Sequence, residues 1–329
     1  MSENTEKKIT IANNHEILFV YDAKMCNPNG DPDNENKPRM DTDREINLVS
    51  DLRLKRYIRD YIEQYLNEPI FVCNIDGRAV TATERLKHLA EQKKLKKIEE
   101  LSNEVLLSEL IDVRFFGATM PIKVEKGEGK GSSRKFTGPV QFNWGHSLNK
   151  VSIMESNGIT SHFSSEGGNV QGAMGKDYRV DYSLIAFHGI ISAKRAEHTD
   201  LTDKDITLFD QAIVNSIPLI ATRTKIGQYP RLYLRIEYNS PEFLLGDLRK
   251  YISIDSDPKV PIRYVSDYVL DVSKLKDLLL KNKDKIKSVK WWSSSEFQIK
   301  GGEITQQFAE LNGKLQQITI KPIEKKSPA

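Results

Sequence analysis

The chain has 329 residues, which is long enough to bury a substantial core in one elaborated domain or in two. Its 49 Lys and Arg residues nearly balance its 46 Asp and Glu residues, so affinity for a polyanion must come from where the basic residues lie and not from the formal net charge of +3. With only two cysteines, the chain cannot form a disulfide framework or a four-cysteine zinc site. It has no apolar signal-peptide core and no apolar run near the roughly 20 residues of a membrane span. The sequence therefore predicts a cytoplasmic protein that does not enter the membrane.

The first predicted element is a strand. Residues 1–14 are polar and are predicted to form a flexible tail, whereas residues 16–24, EILFVYDAK, alternate with Ile17, Phe19 and Tyr21 on one face. The segment NPNGDPDNENKPRMD that follows is dense in Asn, Pro, Gly and Asp and cannot continue a regular element. It is therefore predicted to loop over and lead to the first helix.

The sequence SDLRLKRYIRDYIEQYL, residues 50–66, has the pattern of an amphipathic helix, with Ser50 as a suitable N-cap. The apolar positions that recur at helical spacing are Leu54, Ile58, Tyr61 and Tyr65. The basic positions expected on the opposite, exposed side are Lys55, Arg56 and Arg59. Together with the amides of the helix N-terminus, such a face suits phosphate, although it is also typical of an ordinary solvated helix.

The middle of the chain contains a charged helical insertion. From about residue 81 to residue 111 the pattern is helical with a narrow apolar stripe, and Thr81 with Glu84 fits a capping box. Residues 113–119, VRFFGAT, are predicted to form a short strand, and residues 125–135, EKGEGKGSSRK, a flexible basic loop. We expect this stretch to decorate the core.

The second half of the core supplies more strands and a helix. Residues 138–149 and 181–192 have strand-like composition and flank a segment rich in Gly and Ser, which predicts a long hairpin arm. Residues 202–216 suit a helix that is capped by Thr202 and stopped by Pro218. Residues 231–238 then alternate as a strand.

The resulting order of core elements is strand, helix, strand, strand, helix, strand. This is the ferredoxin-like βαββαβ arrangement of the α+β class, which RNA-recognition domains also use. The long intervals between elements become insertions. Residues 241–329 contain a lysine-rich run and a pair of tryptophans but no repeated unit, and we assign them to packing on this core or on a neighbouring subunit.

Two further segments carry basic residues without any acidic one. The basic residues of the first, 222–235, are Arg223, Lys225, Arg231 and Arg235, and its Gly and Pro mark a turn where a backbone can approach phosphate. The second, 129–154, interleaves its cations with aromatic residues, a pattern that suits single-stranded nucleic acid because bases stack on aromatic rings. Phe142 and Trp144 are as well suited to the core of a hairpin. In a chain of nearly balanced charge, this segregation predicts a path for a polyanion.

The acidic loop suggests a different chemistry. Its oxygen donors, which are the hard ligands that Mg²⁺ prefers, are Asp22, Asp31, Asp33, Glu35, Asp41 and Asp43. A metal held there would support cleavage of a phosphodiester. The spacing begins like a calcium loop but lacks the required Gly and the distant Glu, and clusters of Asp, Asn and Pro are typical of turns. The sequence has no phosphate-binding glycine loop and no short-range pair of histidines with metal-ligand spacing.

Seven strings that occur together and in order carry a family resemblance across residues 15–240. They are ILFVYDAK, NPNGDPDNENKPRMD, SDLRLKRYIRDY, VRFFGAT, TGPVQFNWGHSLNKV, DYSLIAFHGIIS and TRTKIGQYPRL. Together they resemble the guide-RNA-binding backbone subunit of type I-B CRISPR effector complexes (Cascade), in the repeat-associated mysterious protein superfamily. One string alone would be a weak signal, whereas seven in register are specific.

The resemblance implies a hand-shaped, modified RNA-recognition fold. The palm would span residues 15–240, with a helical finger insertion at about residues 78–112 and 120–137 and a thumb hairpin at about residues 139–181. Copies of such a subunit polymerise along CRISPR RNA beside other Cascade subunits. Each thumb displaces a guide nucleotide on the neighbouring palm, and the remaining nucleotides pair with target DNA. The resemblance thus implies an antiviral RNA-binding scaffold without catalytic residues, metal or cofactor.

The resemblance also implies site residues. In that family a Ser-x-x-x-Leu-Lys-Arg helix holds the guide backbone, and the pattern maps onto Ser50 and residues 54–56, with Arg59 one turn further; the Ser and Gln that often follow the first Ser are replaced here by Asp51 and Leu52. The predicted RNA-binding set is Asn27, Asn29, Arg39, Ser50, Arg53, Lys55, Arg56, Arg59, Asn143, Trp144, His146, Arg223, Lys225, Gln228 and Arg231.

Two more expectations follow from the resemblance. Met174, in the segment GGNVQGAMGK, is the predicted apolar wedge at the thumb tip. Type III relatives cut target RNA with a loop aspartate, so the alternative function is a metal-dependent ribonuclease that uses Asp31, with Asp33 and Asp41 as further candidates.

Overall fold

The structure is a computed structural model, and it describes residues 9–122, 132–160, 174–311 and 313–320. The strands are His15–Cys26, Gly30–Asp31, Lys37–Pro38, Met40–Asp41, Ile46–Val49, Asn74–Ile75, Arg78–Ala79, Gly117–Ile122, Ser132–Thr137, Val140–Phe142, Gly145–Ser147, Ile153–Thr160, Met174–Ile191, Gln228–Tyr238, Ser253–Asp255, Val269–Asp271, Ile286–Ser293 and Leu315–Gln317. The α-helices are Asp51–Leu66, Ala82–Gln92, Asn103–Glu109, Ile111–Phe116, Ala193–Ala196, Asp203–Leu219, Ser273–Lys281 and Ile304–Gln307. The fold is of the α+β class, as predicted, with one large mixed sheet.

Four core strands form the centre of this sheet. In chain order they are His15–Cys26, the short pair Val140–Phe142 and Gly145–Ser147, then Met174–Ile191, and finally Gln228–Tyr238. The first core strand lies between the third and the fourth and is antiparallel to both, and the second pairs with the third. The register of the first and third core strands runs from the His15–Ile191 pair at one end to the Cys26–Val180 pair at the other, which we call the Cys26 end.

Two core helices, Asp51–Leu66 and Asp203–Leu219, cover one face of the sheet. Ser50 caps the first as predicted, and Thr202 forms a capping box with Asp205 at the start of the second. Side chains alternate along a strand, so Ile17, Phe19 and Tyr21 all point into the core beneath these helices, which confirms the predicted face. The helices are held there mainly by this buried apolar surface.

The C-terminal residues cover the opposite face of the sheet. Leu18 and Val20, the alternate positions of the first core strand, belong to a second core that includes Leu275 and Leu279 of the helix Ser273–Lys281. The strand Ile286–Ser293 pairs antiparallel with the fourth core strand and widens the sheet. The helix Ser273–Lys281 and the strand Ile286–Ser293 therefore pack on the core of their own chain.

The helical insertion has its own small core. Thr81 and Glu84 form the predicted capping box at the start of the helix Ala82–Gln92. The buried residues of this third core are Phe71, Leu86, Leu89, Ala90, Ile98, Leu101, Leu106, Leu107, Leu110, Val113, Met120 and Ile122. Because this core is separate from the two that flank the sheet, the insertion is a folded unit and not a loop.

The predicted boundaries of several elements are wrong. Residues 113–116 are helical, since Phe115 and Phe116 pack against Phe209 of the second core helix, and the strand begins only at Gly117. Gly117 has a φ of +73°, and a Cβ there would lie 2.3 Å from the Phe136 carbonyl oxygen, so glycine permits this switch.

Three other corrections concern segment ends. Residues 132–135 of the predicted basic loop belong to the strand Ser132–Thr137, and residues 123–131 lie outside the described part of the chain. Pro218 lies inside the second core helix and does not stop it. The predicted tail is packed in part, because Ile11 and Asn14 are buried and the Ile11 amide donates to the Leu201 carbonyl over 3.1 Å. Among the described residues no helix has both the length and the hydropathy to cross a bilayer.

A hairpin extends from the Cys26 end of the sheet. Ile153–Thr160 pairs antiparallel with residues 174–180, the first part of the third core strand, with an irregularity between Ser156 and Ile159. This hairpin lies within the segment predicted as a thumb. Residues 161–173, which include most of the predicted tip GGNVQGAMGK (residues 167–176), and the side chain of Met174 lie outside what the structure describes, so the wedge remains a prediction.

Candidate nucleic-acid interface

Arg53 lies at the N-terminus of the first core helix. The Asn29 side-chain oxygen accepts a hydrogen bond from the Ser50 amide over 2.8 Å, and the Ser50 hydroxyl accepts one from the Arg53 amide over 3.3 Å. The Arg53 guanidinium rests 3.9 Å from the centre of the Tyr57 ring, and its Nε has no hydrogen-bond partner among the described residues. The N-cap and the preceding loop therefore fix the start of the helix, and the Arg53 guanidinium lies against the Tyr57 ring with its Nε shielded from solvent.

Lys225 reaches the same place from the turn before the fourth core strand. Its Nζ donates to the Asn27 carbonyl over 2.5 Å, and the Gln228 amide donates to the Tyr57 hydroxyl over 2.9 Å and to the Lys225 carbonyl over 2.8 Å. Burial, with the nearby Arg53 cation, lowers the pKa of Lys225 to about 8. We call Arg53 and Lys225 the cation pair.

The cation pair lacks a neutralising carboxylate. No ion pair joins either side chain to Asp or Glu within the described residues. Two cations held together without a counter-ion cost free energy in the unbound protein, and an anion that binds between them relieves that cost. Asn27 and Gln228 are only 2% and 1% exposed, so their predicted role changes: they position Lys225 and Tyr57 and do not themselves face solvent.

A second group of predicted residues surrounds Trp144. The Arg39 guanidinium lies 5.8 Å from the ring of Trp144, which is 47% exposed, and Arg39 also pairs with Asp31 over 3.0 Å. Asn143 beside it is exposed. The Arg39 amide donates to the Asn29 carbonyl over 3.1 Å, and Asn29 also contacts Ser50. Asn29 thus joins the Trp144 group to the helix N-terminus, and the two form one continuous surface.

Arg249, from the C-terminal part of the chain, completes the Trp144 group and was missed by the sequence analysis. It donates to the Trp144 carbonyl over 2.7 Å and contacts His146 Nδ1 at 2.9 Å, while Asp247 accepts from its Nε and Nη2 over 2.8 and 2.7 Å. Burial and this guanidinium lower the pKa of His146. A neutral His146 accepts from Arg249, so it holds the loop and does not present charge.

The predicted exposed basic face of the first core helix is wrong for two of its three residues. Lys55 is 6% exposed and pairs with Asp51 over 3.0 Å and with the Gln141 side chain over 2.9 Å. Arg59 is 9% exposed, and its Nε donates to Asp112 over 2.9 Å. The physical reason is that the helical insertion and the second core strand pack against this side of the helix and supply the partners.

Arg56, the third residue of that face, is half-buried and also engaged within the chain. It donates to the Val72 carbonyl over 2.6 Å and pairs with Asp60 and Glu63 on its own helix. The three side chains thus hold the helix in place, and none is a free cation in the unbound protein.

Arg231 is also misplaced by the prediction. It is 7% exposed and donates to Asp22 over 2.8 Å, with Glu296 as a second partner at 3.0 Å. Asp22 lies opposite Leu184, on the face of the sheet that the C-terminal residues cover. Arg231 therefore lies on the other side of the sheet from Lys55 and Arg59, and the predicted path for a polyanion does not run through all three.

Arg223 stays at the surface, next to the base of the hairpin. Its side chain is 63% exposed and contacts Asp177 at 3.3 Å, and Asp177 also accepts from Arg179 over 2.7 Å. On the loop side, Glu35 accepts from the Tyr178 hydroxyl over 2.7 Å and pairs with Lys176 at 3.3 Å. Arg223 thus extends the cationic surface from the cation pair toward the hairpin.

The carboxylates of the acidic loop do not assemble a metal site. Asp31 pairs with Arg39, Asp41 accepts from the Arg44 amide over 3.2 Å, and Asp33 is exposed. In the described ranges no three His, Cys, Asp or Glu side chains converge as a metal would require. The loop carboxylates act as local ion-pair and turn partners.

Two comparisons of the sequence with known proteins identify the same family. The family model described as CRISPR-associated protein Cas7 matches residues 13–273. A CRISPR-associated protein Cas7 from Haloferax volcanii is 34% identical over 293 residues, which cover 84% of this chain and 86% of the relative.

A solved structure also resembles the chain in fold. A chain of a CRISPR RNA-guided surveillance complex in a pre-nicking form has a TM-score of 0.51 at 12% identity, over 91% of this chain and 99% of that one. A chain of another CRISPR RNA-guided surveillance complex has a TM-score of 0.49 at 12% identity, over 91% and 98%.

Proposed function

The chain belongs to the Cas7 family of CRISPR-associated proteins, and from this premise we propose that it is the RNA-binding backbone subunit of a Cascade surveillance complex. Its partners are then CRISPR RNA, the target DNA strand that pairs with the guide, further copies of itself and the other Cascade subunits. The type I-B subtype is part of the proposal. Such a subunit binds and presents its guide and does no chemistry on it.

The observation that carries the proposal is the cation pair without a carboxylate. Arg53 at a helix N-terminus and Lys225 in a Gly-containing turn are the arrangement that favours a phosphate oxygen. Asn29 links this place to the exposed Trp144 and to Arg39, where a base can stack beside a cation. Phosphate contacts on one side and an aromatic ring on the other suit a single strand.

The fold supports the proposal in a second way. The spatial order of the core strands, fourth, first, third, second, with two helices on one face, is what a βαββαβ palm requires. We assign the hairpin at the Cys26 end to the thumb and the insertion with its own core to the finger. Met174 remains our candidate for the residue that displaces a guide nucleotide.

Sequencing the RNA that copurifies with the full chain tests this function. In a cell that expresses a CRISPR array, the scaffold is expected to carry RNA enriched in repeat and spacer sequence, and particle mass should grow with guide length. Bound RNA that mirrors the total cellular pool would indicate a general single-strand binder instead.

Incubation of the loaded complex with complementary RNA and Mg²⁺ separates the scaffold from the ribonuclease alternative. The scaffold leaves the substrate intact. Regularly spaced cuts that disappear in Asp31→Ala or Asp33→Ala would contradict the scaffold proposal and support the ribonuclease.

The protonation of Lys225 gives a pH prediction. Its pKa in the free protein is about 8, and a bound phosphate raises it. Below pH 7 the amine is charged with or without RNA, so its protonation adds no pH dependence. Above pH 8 binding must take up a proton, and affinity is expected to fall by up to about tenfold per pH unit until the bound-state pKa is reached.

The measurement is RNA affinity from pH 6.5 to 10, together with calorimetry in buffers of different ionisation enthalpy to count protons. Lys225→Arg keeps its charge throughout this range and is the matched control, with a flatter profile and less proton uptake. Identical profiles for the two proteins would remove Lys225 from the phosphate site.

A further inference from the structure

The Cys26 end of the sheet carries two exposed tyrosines on the face opposite the cation pair. Tyr229 is 48% exposed and Tyr264 is 55% exposed. The Lys24 Nζ lies 3.3 Å from the centre of the Tyr264 ring, and the Arg231 guanidinium lies 5.7 Å from that of Tyr229. We call Lys24, Tyr229 and Tyr264 the tyrosine patch.

The sheet register brings the members of the patch together. Tyr229 pairs with Asp22 of the first core strand, and Lys24 lies two residues further along that strand, so both side chains project from the same face. Such diagonal neighbours across two strands are close enough for long side chains to meet. Tyr264 comes from the C-terminal part of the chain and places its ring over Lys24.

The patch is continuous with the cation pair around the end of the sheet. Lys225 and Tyr229 are separated by a turn in which Gly227 has a φ of +99° and a Cβ would lie 2.4 Å from the Lys24 carbonyl oxygen. Gln228 points toward Tyr57, on the side of the helices, and Tyr229 therefore points to the other side. A strand that crosses the sheet end therefore passes from the cations to the tyrosines along the segment between Lys225 and Tyr229.

The charge at the patch favours a nucleic acid over a protein partner. Lys24 has no carboxylate partner among the described residues, whereas the two neighbouring arginines are paired, Arg263 with Asp181 at 3.5 Å and Arg231 with Glu296 at 3.0 Å. A protein surface that buried Lys24 without a counter-charge would incur a desolvation cost. A nucleic acid supplies a phosphate for Lys24 and bases for the exposed parts of the two rings.

We propose that Tyr229 and Tyr264 form a base-stacking platform for single-stranded nucleic acid, which continues the phosphate-binding surface around the end of the sheet. The proposal rests on the proposed function, since it takes the strand held by the cation pair as its ligand. The contact is to the faces of bases, so it accepts any sequence.

The test compares two fluorescently labelled strands of equal length, one ordinary RNA and one in which every base is removed from the ribose–phosphate backbone. The full chain is titrated with each as wild type, as Tyr229→Ala/Tyr264→Ala and as the matched control Tyr229→Phe/Tyr264→Phe. The Ala variant is expected to lose about tenfold or more in affinity for ordinary RNA and nothing for the abasic strand. The Phe variant should keep the affinity of wild type for both strands.

Other outcomes overturn the platform. An equal loss of affinity for both strands in the Ala variant, or no loss for either, would contradict the proposed stacking. If the Ala variant binds both strands normally but no longer assembles with further copies, the patch contacts protein instead. Thermal unfolding of the Ala variant confirms that it folds. If wild type binds neither strand, the proposed function itself fails, which is a separate result from failure of the platform.

Discussion

Replacing Arg53 and Lys225 together by Ala is expected to weaken binding of guide-length RNA by at least about 100-fold, whatever the RNA sequence. Each side chain presents a cation without a carboxylate partner in the described chain, and a hydrogen bond to a charged group is worth about 1.5–3 kcal/mol. Because these contacts are to phosphate, they position the strand but do not read bases. Losses should therefore be uniform across homopolymers.

The salt dependence identifies the cause. Losing two phosphate contacts on a single strand should reduce the slope of log affinity against log salt by about 1.4. The matched control is Lys194→Ala/Arg195→Ala, which removes two cations from the helix Ala193–Ala196 at the other end of the third core strand. An unchanged salt slope in the Arg53/Lys225 variant would place the RNA elsewhere.

Arg59→Ala is expected to lower the free energy of unfolding by about 3–5 kcal/mol, because it leaves a buried carboxylate without its cation. The Asp112 side chain is 1% exposed and, besides Arg59, accepts from the amides of Phe71 at 2.7 Å and Val72 at 3.3 Å. This arrangement ties the first core helix to the insertion. RNA affinity of the folded variant should stay close to that of wild type.

Urea denaturation monitored by circular dichroism measures this loss. The double variant Arg59→Ala/Asp112→Asn should regain part of the stability, because the amide is neutral and its oxygen still accepts from Phe71. If Arg59→Ala instead unfolds like wild type and binds RNA poorly, Arg59 belongs to the interface and its ion pair is dispensable.

Local rules predicted the parts of the fold that depend on neighbours in sequence. Ser50, Thr81 and Thr202 cap helices as expected because capping involves residues only three apart. The alternation of Ile17, Phe19 and Tyr21 predicted their face because a strand has a period of two. Residues 113–116 followed tertiary packing instead, since their β-like composition is overridden by contact with Phe209.

Charge was harder to predict, because ion pairs form between residues remote in sequence. The segment 222–235 contains no acid, yet Asp22 pairs with Arg231 and Asp210 with Arg235, each in a buried position. Asp112 does the same for Arg59. Within that segment Lys225 has no carboxylate partner among the described residues, and Arg223 pairs with Asp177 only at the surface. No sequence pattern identified Arg249, because its role depends on its contact with the carbonyl of Trp144, 105 residues away.

The third core strand has a mechanical consequence. Its 18 residues run without interruption from the middle of the sheet into the hairpin, a length of about 60 Å at the usual rise per residue. The same strand continues from the sheet into the hairpin without a loop between them. A force on the outer part of the hairpin is therefore transmitted through this strand and its backbone hydrogen bonds to the first core strand. In a chain of linked copies, tension would pass along backbones, and the reach of each hairpin is set by strand length and not by surface side chains.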